Sequence, residues 1–87
     1  MSIDHPPSTQ MEQRLAGYWG ELLGQQEIGR GDHFISLGGN SLLATMLANR
    51  IEEELGIRPS MGELFNTLGE MATLCEQLVR EQAEAGR

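Results

Sequence analysis

The sequence predicts an all-α protein, a small four-helix bundle of three longer helices and one short one, with a long loop between helices 1 and 2. Three observations carry this expectation. Apolar residues recur at spacings of three and four in three separate stretches. Capping residues open two of those stretches and glycines follow the same two. Apart from a few apolar residues in the loop, almost nothing alternates as a strand would.

Residues 1–8 are expected to form a flexible tail, because Pro6 and Pro7 are adjacent and their neighbours are polar. The first helix should run from Ser8 or Thr9 to Leu23. Either residue can cap it, and Glu12 follows Thr9 by three, as in a capping box. Met11, Leu15, Tyr18, Trp19 and Leu22 share one face, Trp19 reads as a core anchor, and Gly24 is the stop. Residues 24–40 form the loop, in which Ile28, Phe34, Ile35 and Leu37 are expected to pin the chain across the core. The second helix should span Ser41–Leu55, with Leu43, Leu47, Ile51 and Leu55 as its stripe and Gly56 as its stop. A short third helix is expected over Met61–Phe65, behind Pro59 and Ser60. The last should start near Leu68 and end about Glu81, burying Met71, Leu74, Cys75, Leu78 and Val79. The domain thus covers residues 9–80, and residues 81–87 are expected to fray as a second flexible tail.

Composition narrows the function classes. The 87 residues suit one small domain, in which a pocket enclosing a large substrate would consume much of the core. Thirteen acidic residues against six basic ones give −7, which argues against nucleic acid and anionic membrane surfaces and permits partners with basic patches. One cysteine and two histidines, His5 and His33, cannot build a Cys/His zinc cluster, and Cys75 alone forbids an internal disulfide. Cys75 reads as a small core residue, and His33 as loop packing or a solvent-facing side chain. No apolar run is long enough for a membrane span, and the N-terminus is not a secretory signal, so the expected location is cytoplasmic. A monomer is expected.

The informative string is Gly38-Gly39-Asn40-Ser41-Leu42. Two glycines open backbone angles closed to other residues and leave little bulk beside the serine. Ser41 at the start of a helix has two readings. It can be a helix N-cap, worth about 1 kcal/mol. It can instead present an exposed hydroxyl beside unpaired N–H groups and the positive end of the helix dipole, where an esterified phosphate would be stabilised. The chain has no lysine and no phosphate-binding loop motif, which disfavours nucleotide hydrolysis. The G-x-S-x-G elbow of a serine hydrolase is missing, since Leu42-Leu43 follow Ser41.

The run Asp32-His33-Phe34-Ile35-Ser36-Leu37-Gly38-Gly39-Asn40-Ser41-Leu42-Leu43-Ala44 resembles the signature of peptidyl carrier proteins. These are the thiolation domains of nonribosomal peptide synthetases, related to acyl carrier proteins. Glu12, Leu15, Ala16, Trp19 and Leu22-Leu23-Gly24 fit the opening of that family, and Arg50-Ile51, Leu55-Gly56 and Leu64-Phe65 fit its later helices. The resemblance implies that a phosphopantetheinyl transferase moves 4′-phosphopantetheine from coenzyme A onto Ser41, within the flanking loop of Gly38, Gly39 and Asn40. The arm thiol would then hold an amino acid or related acyl group as a thioester. The implied partners are an adenylation enzyme or domain for loading, and condensation, tailoring or thioesterase enzymes afterwards, with no catalysis by the carrier itself. Asn40 departs from the pattern, because many peptidyl carriers have Asp or His there.

Helical geometry sets Leu42, Thr45, Met46 and Asn49 off the aliphatic stripe, beside Ser41. Leu42 and Met46 either pack at the edge of the core or form a recognition patch, which the resemblance favours; Met61, Gly62 and Leu64 could complete it. Glu52, Glu53 and Glu54 read as a solvated helix face or as an attraction for a basic partner. Two alternatives remain: an acyl carrier for polyketide or fatty-acid-like chemistry, and an unmodified helical adaptor in which Ser41 is only a cap. Met1 and the short tails favour a free-standing carrier, whereas Pro6-Pro7-Ser8-Thr9 resembles a linker of an excised domain.

Overall fold

The computed structural model describes residues 5–85; the outermost parts of both expected tails, residues 1–4 and 86–87, lie outside the described residues. Three helices form: α1 (Gln10–Leu23), α2 (Ser41–Leu55) and α3 (Leu68–Ala85). Two 3-10 turns, Ile35–Leu37 and Glu63–Phe65, join them, and α1 packs on both α2 and α3 while α2 also meets the second turn. The described residues contain no strand, only an isolated antiparallel bridge between His33 and Thr67.

Two of the three helices and the second turn begin in the same way. Thr9 Oγ1 accepts the Glu12 amide at 3.0 Å while the Glu12 side chain accepts the Thr9 amide, the reciprocal box predicted for α1. The same exchange opens the second turn, between Ser60 and Glu63, and α3, between Thr67 and Glu70. These hydrogen bonds to the ionised form hold the Glu63 and Glu70 carboxyls below their ordinary range. Gly24 and Gly56 end α1 and α2 with φ of 68° and 75°, each donating its N–H back into the helix.

The core comprises Leu15, Tyr18 and Trp19 from α1, Ala44, Leu47, Ala48 and Ile51 from α2, and Leu68, Met71, Ala72 and Cys75 from α3. On α2 the buried face is therefore centred between two alanines, and the expected stripe members Leu43 and Leu55 are only half-buried. Alanine lets the neighbouring elements approach more closely than leucine would. On α3, Leu74, Leu78 and Val79 are likewise half-buried. Ile28 and Phe34 do pin the loop, but Ile35 is 57% exposed.

Two boundaries differ from expectation. The short helix over Met61–Phe65 is a 3-10 turn over Glu63–Phe65, because Asn66 adopts an extended backbone and ends the hydrogen-bond run after one turn. At the C-terminal end, α3 continues past Glu81 to Ala85. Gln82 Nε2 donates to the Gly56 carbonyl at 2.6 Å, which anchors this polar extension to the end of α2.

Candidate functional site

The site begins in the core and is carried outward by the loop. Trp19 of α1 meets the Phe34 ring edge-on, with centroids 5.2 Å apart, and Phe65 lies on Phe34 at 6.4 Å. Phe34 is fully buried, and its carbonyl accepts the amides of Leu37 and Gly39 at 3.3 and 3.0 Å. Gly38 closes the 3-10 turn with φ 102°, a left-handed angle that favours glycine. Gly39 lies directly against Phe34: a Cβ there would overlap the ring and stand 2.7 Å from the Phe34 carbonyl oxygen.

The next residue assigns the capping role. Asn40 is the N-cap of α2, and its Oδ1 accepts the Leu43 amide at 2.9 Å. Ser41 is therefore not the cap but the first helical residue. Among the described residues its Oγ makes no hydrogen bond, and the residue is exposed. Asn does the work of a cap without a charge, so the helix opening presents a free hydroxyl next to amides that have no intrahelical partner. The residues thus fit an ester-linked phosphate: an accessible nucleophilic oxygen, little bulk on its N-terminal side, and a helix dipole of the right sign.

Around Ser41, Leu42 is 70% exposed and Met46, one turn on, 44%. The reading of these two as core-edge residues is therefore not what the structure shows. Met61, 43% exposed, precedes the turn that packs against α2. Thr45 is half-buried and its hydroxyl donates to the Ser41 carbonyl at 2.9 Å. Asn49 is exposed and accepts from Arg58 at 2.8 Å. Leu64 is a correction: it is fully buried, because the 3-10 turn directs it into the core, so it cannot contact a partner. Ile35 takes its place as an exposed apolar residue that sequence reasoning had assigned to the core. At this turn Phe34 occupies the interior and Ile35 faces outward.

Other candidates fall outside this site. Glu52, Glu53 and Glu54 are exposed at the far end of α2, and Glu52 pairs with Arg58 at 2.9 Å. His33 is exposed, and the described residues hold no cluster suited to a metal ion. Cys75 is fully buried, and burial pushes its thiol up to about 11. No described helix is long and apolar enough to cross a membrane.

Comparison with known proteins agrees with this geometry. The family described as "Phosphopantetheine attachment site" matches residues 13–75. Surfactin synthase subunit 2 of Bacillus subtilis (strain 168) is 38% identical over 82 residues, which is 92% of this chain and 2% of that protein. The chain thus spans a small fraction of the curated relatives it matches. A solution structure of an extended docking-domain complex of the Pax nonribosomal peptide synthetase superposes with a TM-score of 0.82 at 29% identity, covering 94% of this chain and 82% of that one. The peptidyl carrier protein solved with the phosphopantetheine transferase Sfp and coenzyme A gives 0.81 at 27% identity, covering 84% and 97%. The chain belongs to the phosphopantetheine attachment-site family, as a carrier domain of the nonribosomal peptide synthetase type whose prosthetic group is 4′-phosphopantetheine.

Proposed function

We propose that Ser41 is the attachment residue, and that the arm it bears carries an amino acid or related acyl group as a thioester. One observation carries the assignment: Asn40 caps α2, so the exposed Ser41 hydroxyl is left uncommitted at the helix start. Ser41 Oγ would attack the coenzyme A phosphorus that bears the pantetheine. The new Oγ–P bond forms as the bond to the nucleotide phosphate breaks, and the hydroxyl proton passes to a base of the transferase. Among the described residues no hydrogen bond joins Ser41 Oγ to a histidine or carboxylate, which supports leaving this proton transfer, and all later chemistry, to partner enzymes. The carrier is non-catalytic in this reading. Its arm thiol must stay reduced to hold a thioester, which fits a cytoplasmic setting.

The proposed partners are a phosphopantetheinyl transferase, an adenylation enzyme or domain, and condensation, tailoring or thioesterase enzymes. They would approach over Ile35, Leu42, Met46 and Met61, the exposed large apolar residues among those described. Thr45 and Asn49 lie beside this patch on α2. The test is intact mass before and after incubation with coenzyme A and a broad-specificity transferase. One added phosphopantetheine on the native chain and none on Ser41→Ala is the expected result. Modification of the alanine variant would remove Ser41 from the assignment.

A further inference from the structure

The segment entering α1 was expected to be loose from its first residue to Ser8, yet its described part is fastened at two points. The His5 carbonyl accepts the Arg30 amide at 2.9 Å, and Ser8 donates its amide and hydroxyl to Glu12 Oε1 at 2.8 and 3.1 Å. Between these points Pro7 is half-buried. The two fastenings fall on two paired residues: His5 is held by the backbone amide of Arg30 and Ser8 by the carboxylate of Glu12, and the side chains of Arg30 and Glu12 meet in an ion pair, Nη2 to Oε2 at 2.9 Å. The Glu12 side chain is only 3% exposed, the one charged residue buried among the described residues, whereas the Arg30 side chain is half exposed. A buried carboxylate is costly unless its lone pairs are filled, and here Ser8, Thr9 and Arg30 fill them. Arg30 is in turn fixed from the other side, because its carbonyl accepts the Gly69 amide of α3 at 2.8 Å. Arg30 thus joins the entering segment, α1, the loop and α3.

We propose that His5–Ser8 is a strap latched to the body of the carrier by the Glu12–Arg30 pair. Closed, the latch makes any chain preceding residue 5 leave the domain beside the loop and the start of α3. Open, the tether gains four residues, about 14 Å at full extension, and leaves from Thr9 instead. The latch therefore sets the reach and direction from which the carrier is held while it visits partners. This consequence rests on the carrier reading; the latch does not.

The test is backbone 15N relaxation and amide exchange on the full chain, with Arg30→Ala, Arg30→Lys and Glu12→Gln. In the wild type, the amides of His5 and Ser8, the two that the strap has because Pro6 and Pro7 carry none, should be as ordered as the helices. Arg30→Ala should release them to tail-like mobility and speed exchange of the residue-30 amide by about tenfold or more, with the helices unchanged, and Arg30→Lys should restore part of the order. Glu12→Gln can keep the acceptor for Ser8 and Thr9 but turns an amide donor toward Arg30. It should loosen residue 5 more than residue 8, and it carries the test should Arg30→Ala lose its fold. A strap already mobile in the wild type, or still rigid in both Arg30→Ala and Glu12→Gln, would overturn the latch. Phosphopantetheine transfer to the same samples should be unaffected. Its absence in all of them, wild type included, would count against the Ser41 assignment and not against the latch.

Discussion

Gly39 lies against the Phe34 ring so closely that no side chain can be added at position 39 unless Phe34 moves. The Phe34 ring, held between Trp19 and Phe65, fills the space where a side chain at position 39 would begin. The core of the bundle thereby fixes the backbone one residue before the helix cap and two before Ser41.

Gly39→Ala should therefore act from the site back into the core. The added methyl must displace a buried aromatic ring and a carbonyl, and overpacking of this kind costs about 1–3 kcal/mol. Urea unfolding should show that loss. If the strain is instead relieved by moving the loop, stability should hold while the rate of phosphopantetheine transfer falls. A variant unchanged in both would contradict the contact.

Asn40 and Ser41 should separate cleanly. Asn40→Ala removes a cap and should cost about 1 kcal/mol while Ser41 is still modified. Ser41→Ala removes no cap and should leave the unfolding free energy within about 0.5 kcal/mol of wild type, with modification abolished. The opposite pattern, a large stability loss in Ser41→Ala, would return the capping role to the serine.

Much of this was legible in the sequence, for a physical reason in each case. Helix periodicity and left-handed glycine stops are local, so Gly24, Gly56 and the extents of α1 and α2 could be read directly. The Ser/Thr-x-x-Glu spacing marks α1, and the same spacing recurs at Ser60–Glu63 and Thr67–Glu70, where it opens the second turn and α3. Choosing between Asn40 and Ser41 as cap was harder, because both side chains can do it and the difference is one residue of register. Leu64, Ile35 and the Glu12–Arg30 pair were misassigned or missed because each depends on contacts between distant segments. No local pattern reports that Arg30 lies against a glutamate eighteen residues earlier.

Partner binding at the proposed face should depend weakly on salt. Despite the net charge of −7, residues 35–49 contain no charged side chain, and the acidic run begins at Glu52. Apolar burial by Leu42, Met46 and Met61 is not screened, whereas steering by distant charges is. The kcat/KM for phosphopantetheine transfer should change by less than about threefold between roughly 50 and 300 mM salt, and Met46→Glu should lower it more than Glu53→Gln. A steep salt dependence would move recognition to the acidic end of α2.

Acid should weaken the fold through Glu12. Burial pushes its carboxyl up, but the hydrogen bonds from Ser8, Thr9 and Arg30 outweigh this and hold it below the ordinary 4.5. A lowered folded pKa means stability that is fully present above the unfolded value and is lost as pH falls through the folded one. Stability measured by denaturant should therefore decline below about pH 4.5, with Glu63 and Glu70 adding to the same slope. Glu12→Gln should flatten part of that decline. A variant whose acid profile runs parallel to the wild type would show that Glu12 does not contribute to it.

Cys75 should be silent to thiol reagents at neutral pH. It is fully buried, and burial pushes its thiol up to about 11, so the reactive thiolate is both scarce and shielded. The unmodified chain should give no rapid reaction with a disulfide reagent under native conditions and one equivalent after denaturation. The modified chain should give one rapid equivalent while still folded, from the arm alone. Thiol titration then counts the arms whose thiol is free, and loading is read as the loss of that equivalent, without replacing Cys75. A rapid equivalent from the unmodified native chain would mean that α3 opens on the timescale of the assay, and the buried cysteine would have to be substituted before arms could be counted.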